Sequence, residues 1–218
     1  MKTTQLEEKL HYYHELLVQM LNEVEGAIFL AVEATRKRDG ALANQIIAHD
    51  QAINTLRDNA EHDGIMLLVT ERPYAHFLRQ TISDLKIAGE IERMGDYASH
   101  LAKVGSSLPH SKEVDFIVSL ICEMALSGAK MARSVADAMD SQTSDPVKLV
   151  AKMDDTIDAK RDMINKLLFD YQSTSDEERV ALYKCFYLTK EMERLGDHAT
   201  NICEWMVFTI DSIRPKLN

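Results

Sequence analysis

The most chemically suggestive feature of the chain is a pair of carboxylates that occurs twice at helical spacing. Glu92 and Asp96 lie four residues apart, and Glu193 and Asp197 repeat the same spacing. Residues four apart on an α-helix differ by only about 40° around its axis, so each pair shares one edge of a helix. Carboxylates this close repel each other unless a cation or water screens them. The pairs therefore predict oxygen ligands for a cation.

A second acidic motif, Asp-x-x-Ile-(Asn/Asp), also occurs in both halves. Its copies are Asp50 with Asn54 and Asp154 with Asp158. If the helices that carry the two motifs pack antiparallel, each half brings two acidic pairs together. Sites rich in oxygen suit hard divalent cations or iron, and zinc is possible. The predicted metal ligands are Glu193, Asp197, Asn201, Asp154, Asp158, Glu92, Asp96 and Asp50.

Two further features bear on this prediction. Acidic pairs on helix edges are commonly solvated surface groups that pair with Lys or Arg, and that alternative stays open beside cation binding. Gly95 and Gly196 lie in the middle of the predicted helices, where each costs about 1 kcal/mol relative to Ala. Their presence in both copies predicts that a neighbouring helix or a ligand approaches the backbone there.

The two Glu–Asp pairs belong to a longer internal repeat. Residues 90–98 recur as residues 191–199, and both pairs give the same offset (193 − 92 = 101 and 197 − 96 = 101) in a chain of 218 residues. A block duplicated at about half the chain length indicates a tandem repeat. We therefore predict two domains, residues 1–106 and 107–218, joined through the Gly- and Pro-containing segment 105–109.

Apolar residues recur at helical spacing through most of the chain and predict six long helices. The first ends at Arg38-Asp39-Gly40, and the next four cover about 42–69, 73–104, 113–139 and 147–171. Pro73 is predicted to open the third helix. Ser175 and Glu178 form a capping box for the sixth, which runs to about residue 210. Long helices with short turns predict an all-α protein of two pseudo-symmetric three-helix bundles, side by side.

Composition excludes several classes of protein. The formal net charge of −10 and the lack of long basic runs argue against nucleic-acid binding. Three cysteines without CxxC spacing predict free thiols in a reducing cytoplasm. We expect no signal peptide, because residues 1–8 lack an apolar stretch, and the longest apolar runs, 27–32 and 65–69, are too short to cross a bilayer. Any membrane association is therefore expected to go through a partner.

No pattern in the chain predicts an enzyme. A di-iron oxidase needs paired Glu-x-x-His motifs, and only Glu8-Lys9-Leu10-His11 fits. The sequence contains no phosphate-binding Gly loop and no GxSxG nucleophile motif. We predict no catalytic residues and no organic cofactor.

At the duplicated block the chain resembles the PhoU family, whose hallmark is similar to E-R-I-G-D-x-A-x-N-I-A-E. The second copy, residues 193–204, matches at nearly every place, whereas the first departs after Ala98, with His100 where the family usually has Asn. Residues 72–79 resemble the family's R-Q-P-x-A-x-D-L-R, with Phe77 replacing Asp. Asn54 likewise replaces a usual Asp. The departures lie in the first half, so the resemblance supports a metal site more strongly in the second.

The resemblance implies two pseudo-symmetric three-helix bundles, with iron or zinc clusters in some members. It implies a cytoplasmic, membrane-peripheral regulator of phosphate uptake that links the ATPase subunit of a phosphate transporter to a sensor histidine kinase and restrains the phosphate-starvation response. Dimers or higher oligomers are common in the family. Two alternatives stay open: a metal-storage protein, and an accessory subunit of a low-affinity phosphate permease.

Overall fold

The computed structural model describes residues 5–173 and 175–217, and every regular element in these ranges is a helix. The helices are α1 (Gln5–Lys37), α2 (Gly40–Glu71), α3 (His76–Gly105), α4 (Lys112–Ala138), α5 (Ser144–Ala151), α6 (Asp154–Asp170) and α7 (Asp176–Asp211). The prediction of an all-α protein built from two three-helix bundles is confirmed.

The predicted fifth helix is divided into α5 and α6, so the expectation of one continuous helix there was wrong. The amide of Met153 donates to the carbonyl of Val150 at 2.9 Å, and the amide of Thr156 donates to Met153 at 3.2 Å. These i→i−3 hydrogen bonds tighten the chain into a short turn at residues 152–153. The break places Asp154 at the first position of α6.

Local signals set most of the helix boundaries. Asp39 Oδ1 accepts hydrogen bonds from the amides of Ala41 and Leu42, both at 3.0 Å, and so caps α2. Ser111 and Ser175 cap α4 and α7 in the same way. The Ser175 cap was predicted from the sequence.

The start of α3 differs from the prediction. Pro73 lies in the loop before this helix, and α3 begins at His76, three residues later. Arg72 and Ala75 have φ angles of 46° and 49°. Two residues in the left-handed half of backbone space turn the chain sharply between α2 and α3, so Pro73 belongs to that turn.

The two halves share one hydrophobic core. α3 packs against α7, and α1 packs against α4, so the long helices of one half lie directly on those of the other. Leu17, Met20 and Ile28 of α1, together with Met124 of α4, are fully buried in this shared cluster. The α3–α7 contact places the two copies of the repeated block side by side.

No helix among residues 5–173 and 175–217 combines the length and the apolar character needed to cross a bilayer.

Candidate functional site: the paired acidic clusters

The carboxylates predicted as ligands gather into two clusters, one in each half. The second-half cluster comprises Asp154 and Asp158 of α6 with Glu193 and Asp197 of α7. A Cβ placed on Gly196 would lie 2.1 Å from Asp154 Oδ1 and 2.9 Å from Ile157 Cδ1. The close approach predicted at this glycine is therefore confirmed, and a neighbouring helix makes it. Gly196 lets α6 lie against α7 at the level of the acidic residues.

Arg161 lies inside the second-half cluster. Its Nη1 atom donates to Asp158 Oδ1 at 2.6 Å and to Glu193 Oε1 at 2.7 Å. Lys190 also donates to Glu193. Burial acts to raise the pKa of Glu193, but the hydrogen bonds from Lys190 and Arg161 outweigh it and hold the pKa below its usual range. Arg161 therefore supplies positive charge that neutralises part of this cluster.

The pKa of Asp197 is raised, as expected for a carboxylate that lies close to other carboxylates. Burial raises its pKa, and the negative charges of Glu193 and Asp158 raise it further. A cation bound beside Asp197 would reverse this shift, because an opposite charge favours the ionised form.

The first-half cluster comprises Asp50 and Asn54 of α2 with Glu92 and Asp96 of α3. Asn54 Nδ2 donates to Asp50 Oδ2 at 3.4 Å, so the amide serves as an internal partner for that carboxylate. Burial and then the charge of Asp96 raise the pKa values of both Asp50 and Glu92. A Cβ on Gly95 would meet Ile53 at 3.1 Å, which repeats the close approach seen at Gly196 in a looser form.

Arg57 holds the place in the first half that Arg161 holds in the second. The repeat relates them by the offset that links Asp50 to Asp154 (161 − 57 = 154 − 50 = 104). Arg57 reaches only to 4.0 Å from Glu92, and its hydrogen bond goes to Glu61 at 3.2 Å. Arg93 of α3 supplies the positive charge in the first half instead: its Nη1 atom donates to Asp96 Oδ2 at 3.1 Å, and its Nε atom lies 3.6 Å from Glu92 Oε2. Sequence reasoning missed Arg57 and Arg161, although the shared offset was a signal that could have found them.

Asn201, the remaining predicted ligand, lies at the contact between the two halves. Its Nδ2 atom donates to Glu90 Oε2 at 3.2 Å, across the α3–α7 interface. His198 Nδ1 lies 2.6 Å from the same oxygen, and Tyr97 Oη lies 3.2 Å from His198 Nε2. Burial acts to raise the pKa of Glu90, but the hydrogen bond and charge of His198 outweigh it and lower the pKa.

The same contact recurs with the halves exchanged. His100 Nδ1 lies 2.5 Å from Glu191 Oε2, and the repeat relates His100 to Asn201 and Glu191 to Glu90 by 101 residues. His100 thus gives Glu191 the polar partner that Asn201 gives Glu90. This explains physically why the first copy tolerates His where the family usually has Asn.

The donor chemistry of the clusters fits a hard divalent cation. The predicted ligands within them are carboxylates, and hard cations prefer oxygen. As the side chains stand in the described part of the chain, however, no three His, Cys, Asp or Glu residues are arranged to hold a metal ion. Arg161 already bridges Asp158 and Glu193, so a cation bound by these two carboxylates would have to displace it. Whether iron or zinc binds stays a prediction.

These features define an all-α protein of two tandem helical repeats, each with an acidic cluster between two of its helices. The model of one family, the PhoU domain, matches residues 17–104 and again 121–206. The chain belongs to the PhoU family.

Known relatives resemble the chain over nearly its whole length. A protein of Clostridium acetobutylicum named "Phosphate-specific transport system accessory protein PhoU homolog" is 30% identical over 213 residues, which cover 97% of each chain. A protein of the same name from Caulobacter vibrioides is 28% identical and covers 94% of this chain and 95% of its own. The crystal structure of PhoU from Pseudomonas aeruginosa superposes with a TM-score of 0.87 at 26% identity, covering 96% of this chain and all of that one.

Proposed function

We propose that this protein is an accessory regulator of phosphate transport. It acts as an adaptor between the ATPase subunit of a phosphate ABC transporter and a sensor histidine kinase, and it restrains the phosphate-starvation response when phosphate is plentiful. The observation that carries the proposal is the match of the PhoU domain to both halves, together with relatives that bear the accessory-protein name. It works in the cytoplasm, at the inner face of the membrane through these partners, and it forms homo-oligomers.

Exposed apolar side chains support an adaptor with two related faces. Phe169 and Tyr183 are 89% and 72% exposed, and the repeat offsets relate them to Ile65 and Ile82, which are 55% and 39% exposed. Large exposed apolar residues that recur at equivalent places indicate surfaces that a protein partner covers. Each half thus offers a similar face, which suits a protein that bridges two partners.

A capture experiment tests the adaptor role. Tagged protein, incubated with solubilised membranes of its own host grown with abundant phosphate, should retain both the transporter ATPase and the sensor kinase. An excess of untagged protein should remove both from the resin. Retention of neither partner above the competed background would contradict the adaptor role while leaving family membership intact.

We further propose that the acidic clusters bind divalent cations, iron or zinc among them, which tune or stabilise the regulator. The crowded carboxylates Asp50, Glu92 and Asp197 support this, because each has a raised pKa that a bound cation would relieve. A metal-storage role is the second candidate. The bridge from Arg161 to Asp158 and Glu193 speaks against it, because part of the cluster charge is already neutralised by the protein itself.

Metal analysis separates these two roles. Protein purified without added metal should contain bound divalent cation, and the double variant Glu193→Ala/Asp197→Ala should lose most of it. The matched control is Asp155→Ala, an exposed aspartate of the same helix as Asp158, and its metal content should be unchanged. If the double variant loses metal but still restrains starvation genes, the metal is not central to signalling. If it keeps its metal, the proposed second-half site is wrong.

A further inference from the structure

A cavity of about 390 Å³ lies between the two halves, away from the acidic clusters. Its walls come from the first turns of α1, the start of α3, the turn after α4 and the last turns of α7. Ligand sites commonly occupy such spaces between domains, where apolar walls surround a few polar groups. Here Leu10, Ile87 and Met206 form part of an apolar wall.

Asp84 of α3 is the buried polar group of this cavity. It is 5% exposed, and its Oδ2 atom has no hydrogen-bond partner among the described residues. Burying an isolated carboxyl without a partner is unfavourable, so such a group in a folded protein calls for a ligand or another explanation. The repeat relates Asp84 to Cys185, a buried thiol (185 − 84 = 101). The second half therefore has no carboxyl at the equivalent core position, so the fold does not require an acidic residue there.

The charge of the lining shows what Asp84 would bind. His14 and Asp140 line the same cavity, and His14 Nε2 lies 3.2 Å from Asp140 Oδ1. The other two histidines of the lining are His11 and His76. None of its lining residues among those the structure describes is Lys or Arg. A site with carboxylates and no fixed positive charge attracts cations and repels anions such as phosphate.

We propose that this cavity binds a small organic cation, an aliphatic amine or guanidine, whose charged end pairs with Asp84 while its hydrocarbon part packs on the apolar wall. A metal ion is the weaker occupant, because the described residues include no three His, Cys, Asp or Glu arranged to hold one. An ammonium or guanidinium group needs one buried carboxylate, which Asp84 supplies. Since the walls come from both halves, the bound cation connects them.

The pKa of Asp84 adds a second observable. Burial raises this pKa to about 7, so the carboxyl is largely protonated in slightly acidic solution. The other ionisable groups of the same cavity are Glu7, His11 and His14 of α1, His76 of α3 and Asp140 of the turn after α4. Tyr13 of α1 also lies near Asp84. A bound cation requires the ionised carboxylate, so binding below pH 7 releases a proton from Asp84.

Calorimetric titration of the full-length protein with spermidine, cadaverine and agmatine tests the proposal. At least one of these amines should bind saturably at a single site, and below pH 7 its binding should release close to one proton. Asp84→Asn should weaken this binding by at least about tenfold. Asp84→Cys, which carries the side chain that the second half holds at this place, is the alternative if the amide variant does not fold. Asp137→Asn, an exposed aspartate of α4, should bind the amine as the parent protein does.

Three results would overturn the proposal. The first is the absence of saturable binding of all three amines in the millimolar range. The second is binding that Asp84→Asn and Asp84→Cys leave unchanged, which reveals general attraction to an acidic surface. The third is a Zn²⁺ site that is lost with Asp84 while the amines do not bind.

Discussion

Asp84→Asn is expected to make the protein more stable at alkaline pH than the parent. Burial raises the pKa of Asp84 from its ordinary 3.8 to about 7. At pH 8 the carboxyl is ionised in both the folded and the unfolded chain, and the folded state bears a penalty of about 1.4 kcal/mol for each unit of this shift. The total is about 4 kcal/mol, a large part of the stability of an ordinary domain. A neutral amide of the same shape does not carry this penalty.

The pH dependence identifies the cause. Below pH 3.8 the carboxyl is protonated in both states and has no effect. Between pH 3.8 and about 7 the folded state binds more protons than the unfolded one, so stability falls as the pH rises, and above 7 the penalty is constant. The advantage of Asn over Asp should therefore grow by about 3 kcal/mol between pH 5 and pH 8. Any cost of burying the amide itself is independent of pH and cancels in this difference.

Urea unfolding of both proteins at the two pH values measures the effect. Asp137→Asn is the matched control, because Asp137 is 68% exposed on its side chain and pairs with Arg133 in solvent. The control should shift stability by less than about 0.5 kcal/mol at either pH. An advantage of Asp84→Asn that is equal at pH 5 and pH 8 would contradict a raised pKa, and it would mean that the folded protein accommodates the ionised carboxylate.

The sequence predicts most of the fold because the signals involved are local. Helical periodicity and the Ser175 cap are each readable from a short stretch of chain, and the repeat is readable by comparing residues 90–98 with residues 191–199. The helix boundaries that were wrong depend on backbone conformation and on packing, which helical periodicity does not show. Pro73 would suit the first turn of α3, but Arg72 and Ala75 take positive φ angles, which complete the turn before the helix starts. The break between α5 and α6 places Asp154 against Gly196 of α7, a contact between distant parts of the chain that periodicity does not reveal.

The sequence identified the acidic residues of the candidate site. It did not show which basic side chains neutralise them. Antiparallel packing of the two helices was expected to bring Asp158 near Glu193, and Arg161 bridges the two carboxylates in the structure. Spacing could not show that Arg161 enters the cluster while Arg57 reaches only to 4.0 Å from Glu92, because a long side chain has many rotamers. Nor could it show that Asn201 turns to Glu90 on the opposite half. Asp84 has no special pattern in the sequence, and only its burial in the folded protein sets it apart.

The asymmetry of the halves has a physical consequence for any cation site. In the second half Arg161 already bridges Asp158 and Glu193, so a cation there competes with an internal ion pair. In the first half Asn54 replaces a carboxylate, and the paired cation is Arg93, which lies on α3 beside Glu92 and Asp96, so its ion pairs with them lie within one helix and do not bridge two. The two sites should consequently differ in affinity.

The second large effect expected of this account is on gene expression. An adaptor that holds a sensor kinase in its inactive state contributes a coupling free energy between transporter and kinase, typically 1–3 kcal/mol. Without the adaptor, the kinase loses the coupling free energy that favours its inactive state. Deletion of this protein from its host should therefore raise the expression of phosphate-starvation genes in phosphate-rich medium well above the level in the parent strain.

Complementation gives the experiment its controls. A plasmid copy of the parent chain should restore low expression in the deletion strain, and Asp155→Ala, which alters an exposed side chain outside the clusters, should restore it equally. Glu193→Ala/Asp197→Ala then reports whether the second-half cluster contributes to regulation, separately from whether it binds metal.

The most direct test of the regulatory role is the level of starvation-gene transcripts in the deletion strain grown with abundant phosphate, measured beside the complemented strain. We expect strong expression after deletion and repression when the protein is restored. Transcripts that stay at the repressed level in the deletion strain, in a host without a second copy of this family, would contradict it.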